Sequence, residues 1–270
     1  MNSNSEVAIV IPLYKKDIND YERISLAQIF KVLGQYSIIF VAPVGFEFNF
    51  IPETKSIYYF DEIYFKDLHG YNKLLTSVHF YSEFLSYKYI LIAQLDTFIF
   101  KDDLKNWCKK GYDYIGAPWM FDISLFNKTI INYYPATYRN KILRFLFNKE
   151  YFVGNGGLSL RKVKTFYKIL NAEKNKHLID YFRNEATKAI DNEISEIADN
   201  EDNFWCLFVP NKITRLRIPN YKKAMKFAFE TAPDLCYQLN HKELPFGCHA
   251  WDKHNFEFWK QFIKAQGYNI

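Results

Sequence analysis

Short runs of consecutive apolar residues alternate with longer, partly polar segments along the first third of the chain. Such runs are typical of strands that are buried on both faces, and they cover residues 7–13, 37–42, 57–60 and 89–93. Between them, residues 19–33 and 73–86 have a helical pattern. Strands that alternate with helices predict parallel βαβ units. We therefore expect an α/β fold whose mostly parallel central sheet is flanked by helices.

The second half of the chain has a less regular pattern. Strand-like segments at residues 112–118 and 151–160 are followed by helical segments at residues 162–170 and 177–198, and a further helix is predicted to start near Asp202. No internal repeat, low-complexity tract or linker separates the two halves. We expect a single domain with a mixed second lobe, and the two lobes are predicted to cover residues 1–105 and 106–270.

Composition excludes two classes of protein. Hydrophobic residues make up 49% of the chain and charged residues 24%, an ordinary globular balance that excludes disorder. The 35 basic and 30 acidic residues leave a net charge of +5, which is too mild to indicate a nucleic-acid partner. Residues 121–170 nevertheless carry nine Lys/Arg and two Asp/Glu, whereas residues 171–202 carry four and nine. These blocks are either solvated helix faces or two walls of one site.

Cysteine usage and the lengths of the apolar runs predict a cytoplasmic protein. The four cysteines form no Cys-x-x-Cys pair, so free thiols fit better than a zinc knuckle. The N-terminus has no basic region, and the apolar run from Val7 breaks at Pro12, which favours a first strand over a signal peptide. No stretch reaches the roughly 18 apolar residues that a membrane span requires.

Asp96 is the first candidate for chemistry. It follows the apolar run at residues 89–93, and ligands of α/β sheets bind beyond the carboxyl ends of the strands. A carboxylate there can hold a divalent cation, which prefers oxygen ligands and commonly bridges phosphates. Asp102 and Asp103 come shortly afterwards, where a helix is expected to start, and a role as N-cap is favoured for them.

A glycine cluster and an acidic pair are further candidates. Gly154, Gly156 and Gly157 let the backbone approach a ligand closely, although a tight turn is the competing interpretation. The cluster matches neither a dinucleotide-binding fingerprint nor a P-loop. Glu201 and Asp202 precede an aromatic run, where one acid can be a general base and the other its orienter or a helix cap. An acidic helix N-terminus is the simpler alternative.

His249 is the histidine that we single out among the six of the chain. It lies in a stiff loop that contains Pro245, Gly247 and Trp251. A histidine in such a loop can ligate a metal or contact a substrate. An isolated histidine more often has a structural role, which is the alternative here.

Taken in order along the chain, these motifs resemble a known family. They occupy residues 94–96, 111–119, 154–161, 201–202, 229–230 and 244–251. The chain resembles a bacterial family of unknown function that is found around polysaccharide gene clusters (O-antigen, capsule and exopolysaccharide) and is regarded as a family of GT-A-type glycosyltransferases. Each motif alone is weak, whereas their order is fairly specific, and the resemblance extends over residues 7–259.

The resemblance implies a GT-A-like fold with a Rossmann-like first half. Residues 1–105 would bind the nucleotide, and residues 106–270 would bind the acceptor and carry the catalytic groups. The implied reaction moves a sugar, of the hexosyl class, from a nucleotide-sugar donor to a hydroxyl of a glycan or lipid-linked glycan. A UDP-sugar is the favoured donor. The transfer would be metal-assisted and inverting, with a carboxylate as general base.

The metal site that the resemblance implies departs from the usual motif. In GT-A enzymes an Asp-x-Asp motif binds the cation that holds the donor diphosphate, and here Gln94 stands in place of the first acid. Asp96 keeps the last carboxylate, and His249 resembles the late histidine that completes such sites. These ligands and diphosphate oxygens suit Mn²⁺ or Mg²⁺. Whether the metal is required stays open because of Gln94.

The resemblance also assigns residues to the donor, the acceptor and the base. The implied donor- and nucleotide-binding residues are Pro12, Leu13, Tyr14, Lys73, Gln94 and Asp96. For Tyr14 and Lys73, ordinary packing is an equally good alternative. Asp202 is the first choice of general base and Glu201 the second. The implied sugar and acceptor pocket, in which the two indoles are platforms for sugar rings, is lined by Trp119, Asn155, Gly156, Gly157 and Trp251.

Other interpretations stay open. A non-catalytic nucleotide- or sugar-binding protein would not need the acidic pair. A nucleotidyltransferase usually carries a glycine-rich basic signature near the N-terminus, and residues 11–16 contain no glycine. A retaining glycosyltransferase is the closest enzymatic rival. The basic segment at residues 127–149 is either a flap, which could touch an anionic membrane surface that carries a lipid-linked acceptor, or a solvated helical hairpin.

Overall fold

The computed structural model of the chain describes residues 5–120, 151–190 and 200–270. Four parallel strands form the first part of the central sheet, namely β1 (Ser5–Pro12), β2 (Ser37–Pro43), β3 (Ser56–Phe60) and β4 (Tyr87–Ala93). They confirm the four strands predicted from the apolar runs. Alternate residues of β1 pack into different hydrophobic clusters, Val10 into one and Ile9 into another. Both faces of the strand are therefore buried.

Seven further strands follow these four in the described residues, and two of them extend this sheet. The seven are β5 (Phe98–Ile99), β6 (Tyr114–Ile115), β7 (Pro118–Trp119), β8 (Phe152–Val153), β9 (Leu158–Lys162), β10 (Ala228–Phe229) and β11 (Gly247–Cys248). β9 lies antiparallel to β4 and β6 antiparallel to β9, which gives the order β3-β2-β1-β4-β9-β6. The sheet thus continues past residue 105, and the two predicted lobes share it.

Two small sheets accompany the central one. β11 lies between β10, to which it is parallel, and β5, to which it is antiparallel. β7 and β8 form an antiparallel ribbon. The small sheets bring the segments after β10 and β11 close to the carboxyl end of β4, because β5 follows β4 by only a few residues.

Helices cover the sheet. They are α1 (Asp20–Leu33), α2 (Leu68–Leu75), α3 (Val78–Glu83), α4 (Leu104–Lys109), α5 (Val163–Asn171), α6 (Lys176–Ile190), α7 (Glu201–Asn203), α8 (Tyr221–Ala224), α9 (Pro233–Leu239) and α10 (Phe256–Ala265). Short 3₁₀ turns span Glu62–Phe65 and Glu173–Asn175, and α7 continues in π-helical turns over Phe204–Ile213. The helix predicted for residues 177–198 corresponds to α6, and its predicted end lies outside the described residues.

The single helix predicted for residues 73–86 is instead two helices, α2 and α3. The hydroxyl of Thr76 donates to the carbonyl oxygen of Asn72 at 2.9 Å, and the hydroxyl of Ser77 accepts the N–H of Phe80 at 3.1 Å. Side-chain hydrogen bonds of this kind compete with the helical ladder. Thr76 therefore caps the end of the first helix, and Ser77 caps the start of the second.

Aromatic side chains fill much of the core. Phe166 and Trp205 have ring centroids 4.0 Å apart, and Tyr81 lies 5.2 Å from Phe166. All three side chains are buried. The high aromatic content of the chain therefore contributes to packing around the central sheet. Among the described residues, no helix is long and apolar enough to cross a membrane.

Candidate functional site

The candidate site lies beyond the carboxyl ends of β1 and β4. Here a cavity of about 360 Å³ is lined by Pro12, Tyr14, Phe65, Lys66, Asp67, Leu68, Tyr71 and Gln94. Tyr14 is exposed, and the amide Nε2 of Gln94 donates to the hydroxyl of Tyr71 at 3.3 Å. The volume of the cavity suits a small-molecule ligand. Leu13 is fully buried, and its N–H donates to the carbonyl oxygen of Val41, so it extends the sheet and does not line the cavity.

One group of polar side chains, the cation corner, consists of Gln94, Asp96, Glu230, His249 and Lys253. His249 is at its centre. Its Nε2 lies 3.1 Å from Asp96 Oδ1 and 3.1 Å from Gln94 Oε1, and its Nδ1 lies 3.0 Å from Glu230 Oε1. Lys253 Nζ donates to Asp96 Oδ2 at 2.7 Å. The corner thus combines two carboxylates, an amide, an imidazole and an ammonium group.

Mutual attraction controls protonation in the cation corner. Burial opposes the charge on His249, but Asp96 and Glu230 outweigh it and raise the pKa of the imidazole to about 10. Burial also opposes the charge on Asp96, but His249 and Lys253 hold the pKa of its carboxyl well below the usual range. Without a bound cation, these charges therefore favour an ionised Asp96 and a protonated His249.

The donor set of this corner fits a hard divalent cation. Asp96 Oδ1 is buried and has an ion-pair contact with His249 Nε2 at 3.1 Å, but no other described group donates a hydrogen bond to it. Asp96 Oδ1 and Gln94 Oε1 both face Nε2 of His249, each at 3.1 Å. A carboxylate oxygen, an amide oxygen and an imidazole nitrogen are ligands that Mn²⁺ or Mg²⁺ accepts. Within the described ranges, no three His, Cys, Asp or Glu side chains cluster as metal ligands, so a cation here would need the amide oxygen of Gln94 as a third protein ligand.

A second group, the base corner, consists of Arg161, Glu201 and Asp202. Arg161 and Glu201 form a buried bidentate pair with N–O distances of 2.9 and 2.7 Å. The guanidinium also donates to the hydroxyls of Ser159 and Tyr81 and to the carbonyl oxygen of Gly156. Arginine has five N–H donors, and these contacts engage all of them. Glu201 is therefore committed to an ion pair.

Asp202 is the acid of this corner that is left without a cationic partner among the described residues. It is half-buried, and its Oδ1 accepts the N–H of Asn203 at 2.8 Å. Burial, together with the charges of Glu201 and Glu230, raises the pKa of Asp202 to about 7. A carboxylate with this pKa can accept a proton near neutral pH.

The glycine turn joins the two corners. A Cβ at Gly156 would overlap Glu201 Oε1, and a Cβ at Gly157 would overlap the imidazole ring of His249. Both positions therefore require glycine, because a functional side chain from each corner packs directly on the backbone. Asn155 has a φ of +50° and places its Nδ2 3.2 Å from His249 Nδ1. The turn holds one side chain of each corner in place.

The two predicted sugar platforms and Lys73 have different surroundings from those expected. Trp251 is fully buried, and its indole N–H donates to Ser25 at 2.9 Å. It is therefore a core residue and offers no exposed face to a sugar ring. Trp119 is buried in β7, and a Cβ at Gly154 would overlap its ring. Lys73 lines a separate cleft on the flank of the molecule. The basic segment at residues 127–149 lies outside the described residues.

Three residues of the site were not selected as site residues from the sequence. Glu230 follows β10, Lys253 comes four residues after His249 in the sequence, and Arg161 ends the glycine motif. The first and last lie within motifs that carry the family resemblance, which is a signal that could have found them. Lys253 belongs to no such motif, and the chain has many lysines. Only its contact with Asp96 therefore identifies it.

The chain is similar to solved structures of three glycosyltransferases. Apo mouse xyloside xylosyltransferase 1 aligns over 90% of this chain and 96% of its own, with a TM-score of 0.53 and 10% identity. A glycosyltransferase involved in glycosylation of the major capsid of PBCV-1 aligns over 96% and 99%, with a TM-score of 0.47 and 10% identity. The mannosyltransferase Ktr4p from S. cerevisiae in complex with GDP aligns over 82% and 68%, with a TM-score of 0.46 and 11% identity. The first of these confirms the predicted GT-A-like fold.

Sequence comparison adds the family. No curated protein matches the chain significantly. A family model does match it, over residues 54–249, which is more than half of the chain and contains both corners of the site except Lys253. The chain therefore belongs to the family described as "Protein of unknown function (DUF5672)".

Proposed function

We propose that this protein is a glycosyltransferase that moves a sugar from a nucleotide-sugar donor, with a UDP-sugar favoured, to a hydroxyl of a glycan or lipid-linked glycan. The observation that carries the proposal is the position of the cation corner. Gln94, Asp96 and His249 meet beside the cavity at the carboxyl edge of the parallel strands, where α/β sheets bind their ligands. The GT-A-like fold supports the same activity.

The donor would occupy the cavity and reach the cation corner. The exposed ring of Tyr14 can stack on the base, while Asp67 and Gln94 offer polar groups along the wall. The diphosphate would then lie near Lys253, whose positive charge attracts it. Lys73 is not used in this arrangement, since it lines another cleft.

Asp96 and His249 would hold the divalent cation, with the amide oxygen of Gln94 as a third protein donor. A bound Mn²⁺ or Mg²⁺ supplies electrostatic stabilisation of the diphosphate as it leaves. The chain's own residues contribute the fixed positions of these donors. Lys253 keeps Asp96 ionised and oriented through its 2.7 Å contact with Oδ2.

Asp202 is the proposed general base, and Glu201 positions it. Asp202 would take the proton of the acceptor hydroxyl while that oxygen forms a bond to the anomeric carbon. The bond between this carbon and the diphosphate oxygen breaks, and the nucleoside diphosphate leaves with the electron pair. Because attack and departure occur on opposite faces of the sugar, the product has inverted configuration. Glu201 is held by Arg161, so it is not the proton acceptor.

Location and partners complete the proposal. We infer a role in polysaccharide assembly at the cytoplasmic face of the membrane, with peripheral contact where a lipid-linked acceptor is presented. The family resemblance supports this role. Recruitment to liposomes that contain anionic lipid is the direct check of the membrane contact, and binding that does not depend on anionic lipid would contradict it.

A screen of nucleotide sugars tests the function. Binding is measured by calorimetry with and without Mn²⁺. Hydrolysis of each bound donor is then monitored through the release of the nucleoside diphosphate. We expect one donor class to bind more tightly with Mn²⁺ and to be turned over. Binding without turnover of any donor or acceptor would favour a non-catalytic binding protein. A product of retained configuration by NMR would contradict the role of Asp202 as the inverting base.

A further inference from the structure

Acceptor oxygens lie against both ring nitrogens of His249, and the amide Nδ2 of Asn155 also lies 3.2 Å from Nδ1. Glu230 Oε1 lies 3.0 Å from Nδ1, whereas Asp96 Oδ1 and Gln94 Oε1 lie 3.1 Å from Nε2. An ionised carboxylate can only accept hydrogen bonds. The hydrogen on Nδ1 therefore points towards Glu230. A cation bound between Asp96 and Gln94 would take the electron pair of Nε2, which leaves the single ring proton on Nδ1, where it faces Glu230.

The backbone fixes this contact. β10 and β11 are parallel neighbours, with Phe229 opposite Cys248, so Glu230 and His249 come next in register. The N–H of His249 donates to the carbonyl oxygen of Phe229 at 3.0 Å. Only 12% of each of the two side chains is exposed. Two paired strands thus present the carboxylate and the imidazole side by side in a confined space.

Glu230 also has an electrostatic cost that its contact with His249 offsets. Its charge acts on Asp202 and disfavours a second carboxylate nearby. Among the described residues, no lysine or arginine ion pair compensates Glu230, and its salt-bridge partner is His249. An acid that is almost buried between a histidine and another acid is best explained by what it does to the histidine.

We propose that Glu230 is the positioning residue of the cation corner, which holds the His249 ring so that Nε2 faces the divalent cation. This inference rests on the proposed function, because it requires that the corner binds a cation. Carboxylates that accept the second N–H of a metal-binding histidine fix both the tautomer and the orientation of the ring. Glu230 acts through His249 and makes no contact with the cation itself.

The first test measures Mn²⁺ alone binding to the full chain by calorimetry. Glu230→Gln is expected to raise the Kd for Mn²⁺ by about 10- to 100-fold, while the thermal midpoint stays close to that of the unchanged protein. Glu243→Gln is the matched control, because Glu243 is an exposed acid of the same type, and it should leave the Kd unchanged. Equal Mn²⁺ affinity in Glu230→Gln and the unchanged protein would overturn the positioning role alone.

The second test separates this role from the proposed function. If the unchanged protein binds no Mn²⁺, the cation part of the proposed function fails and the positioning role fails with it. If Glu230→Gln does not fold, ¹⁵N NMR of the Mg²⁺-loaded, unchanged protein decides. We expect the His249 ring to carry its proton on Nδ1 with Nε2 unprotonated. The opposite tautomer would overturn the inference.

Discussion

The two corners of the site satisfy their charges in opposite ways. In the base corner, Arg161 uses all five N–H donors and pairs with Glu201 through both carboxylate oxygens. In the cation corner, Asp96 has one oxygen paired with Lys253 and another that is buried, with His249 as its one described ion-pair partner. The Arg161–Glu201 pair is fully hydrogen-bonded within the protein. The cation corner instead keeps one carboxylate oxygen, Asp96 Oδ1, that could ligate a cation.

This difference shows which charges are structural and which can act on a ligand. A buried pair with every hydrogen bond made is rigid, and it positions what lies next to it. A buried carboxylate oxygen whose one polar neighbour is a histidine, as Asp96 Oδ1 has in His249, is unfavourable when that ring is neutral unless a cation binds it. Asp202 belongs to the base corner in sequence, but its carboxylate lacks a described cationic partner and binds protons unusually strongly. The reactive group thus sits directly beside the rigid one.

The largest expected effect separates Asp202 from its neighbour. Asp202→Asn should lower kcat by about 10²–10⁴-fold, the usual contribution of a general base, with donor affinity unchanged. The fold should be retained, because the substitution removes a charge that burial disfavours. Turnover of the donor and a thermal melt check both points. Normal turnover in this variant would remove Asp202 from the mechanism.

Removing a charge one residue away should act on stability instead. Glu201→Gln leaves the Arg161 charge buried without its partner, and breaking a buried pair in this way costs about 3–5 kcal/mol of unfolding free energy. Glu62→Gln is the matched control, since the Glu62–Lys66 pair is exposed and should contribute less than about 1 kcal/mol. Denaturant unfolding measures both. If Glu201→Gln were as stable as the control and inactive, Glu201 would be the base.

Two neighbouring glycines offer the same substitution in each corner. Gly156→Ala pushes a methyl group against Glu201, and Gly157→Ala pushes one against His249. We expect the first to lower stability by about 1–3 kcal/mol, which is typical of overpacking. The second should weaken Mn²⁺ binding more than it lowers stability. Unfolding and calorimetry on both variants check this, and identical profiles would show that the corners are not separate units.

The smallest expected effect is a pH dependence. Since the pKa of Asp202 is raised to about 7 and the base must be ionised, kcat/KM should fall about tenfold per pH unit below that value and level off above it. Rates measured from pH 5 to 9 test this. A profile that rises towards low pH would have the wrong sign for a carboxylate base.

The sequence was informative where a pattern is local. The apolar runs predicted all four parallel strands: β1, β2 and β4 are buried on both faces, and β3 is the partly exposed edge strand. Asp96 could be placed beyond a strand for the same reason. The predicted helix at residues 73–86 was divided because the hydrogen bonds of Thr76 and Ser77 outweigh the apolar pattern.

Contacts between distant residues could not be predicted in this way. Arg161 and Glu201 are 40 residues apart, and their pairing depends on how α7 packs beside β9. Glu230 meets His249 only because β10 and β11 are neighbours in a small sheet. The prediction of a sugar platform at Trp251 rests on its closeness to His249 in the sequence. Closeness in the sequence does not reveal which way an indole points, and this one is buried.

Donor turnover with Asp202→Asn as the control tests the central claim most directly. The unchanged protein and the variant are each supplied with the tightest-binding nucleotide sugar, Mn²⁺ and acceptor, and released nucleoside diphosphate is measured. We predict release by the unchanged protein and a loss of about 10²–10⁴-fold in the variant, with equal donor binding in calorimetry. If the unchanged protein binds no nucleotide sugar, with or without Mn²⁺, the proposed function is contradicted.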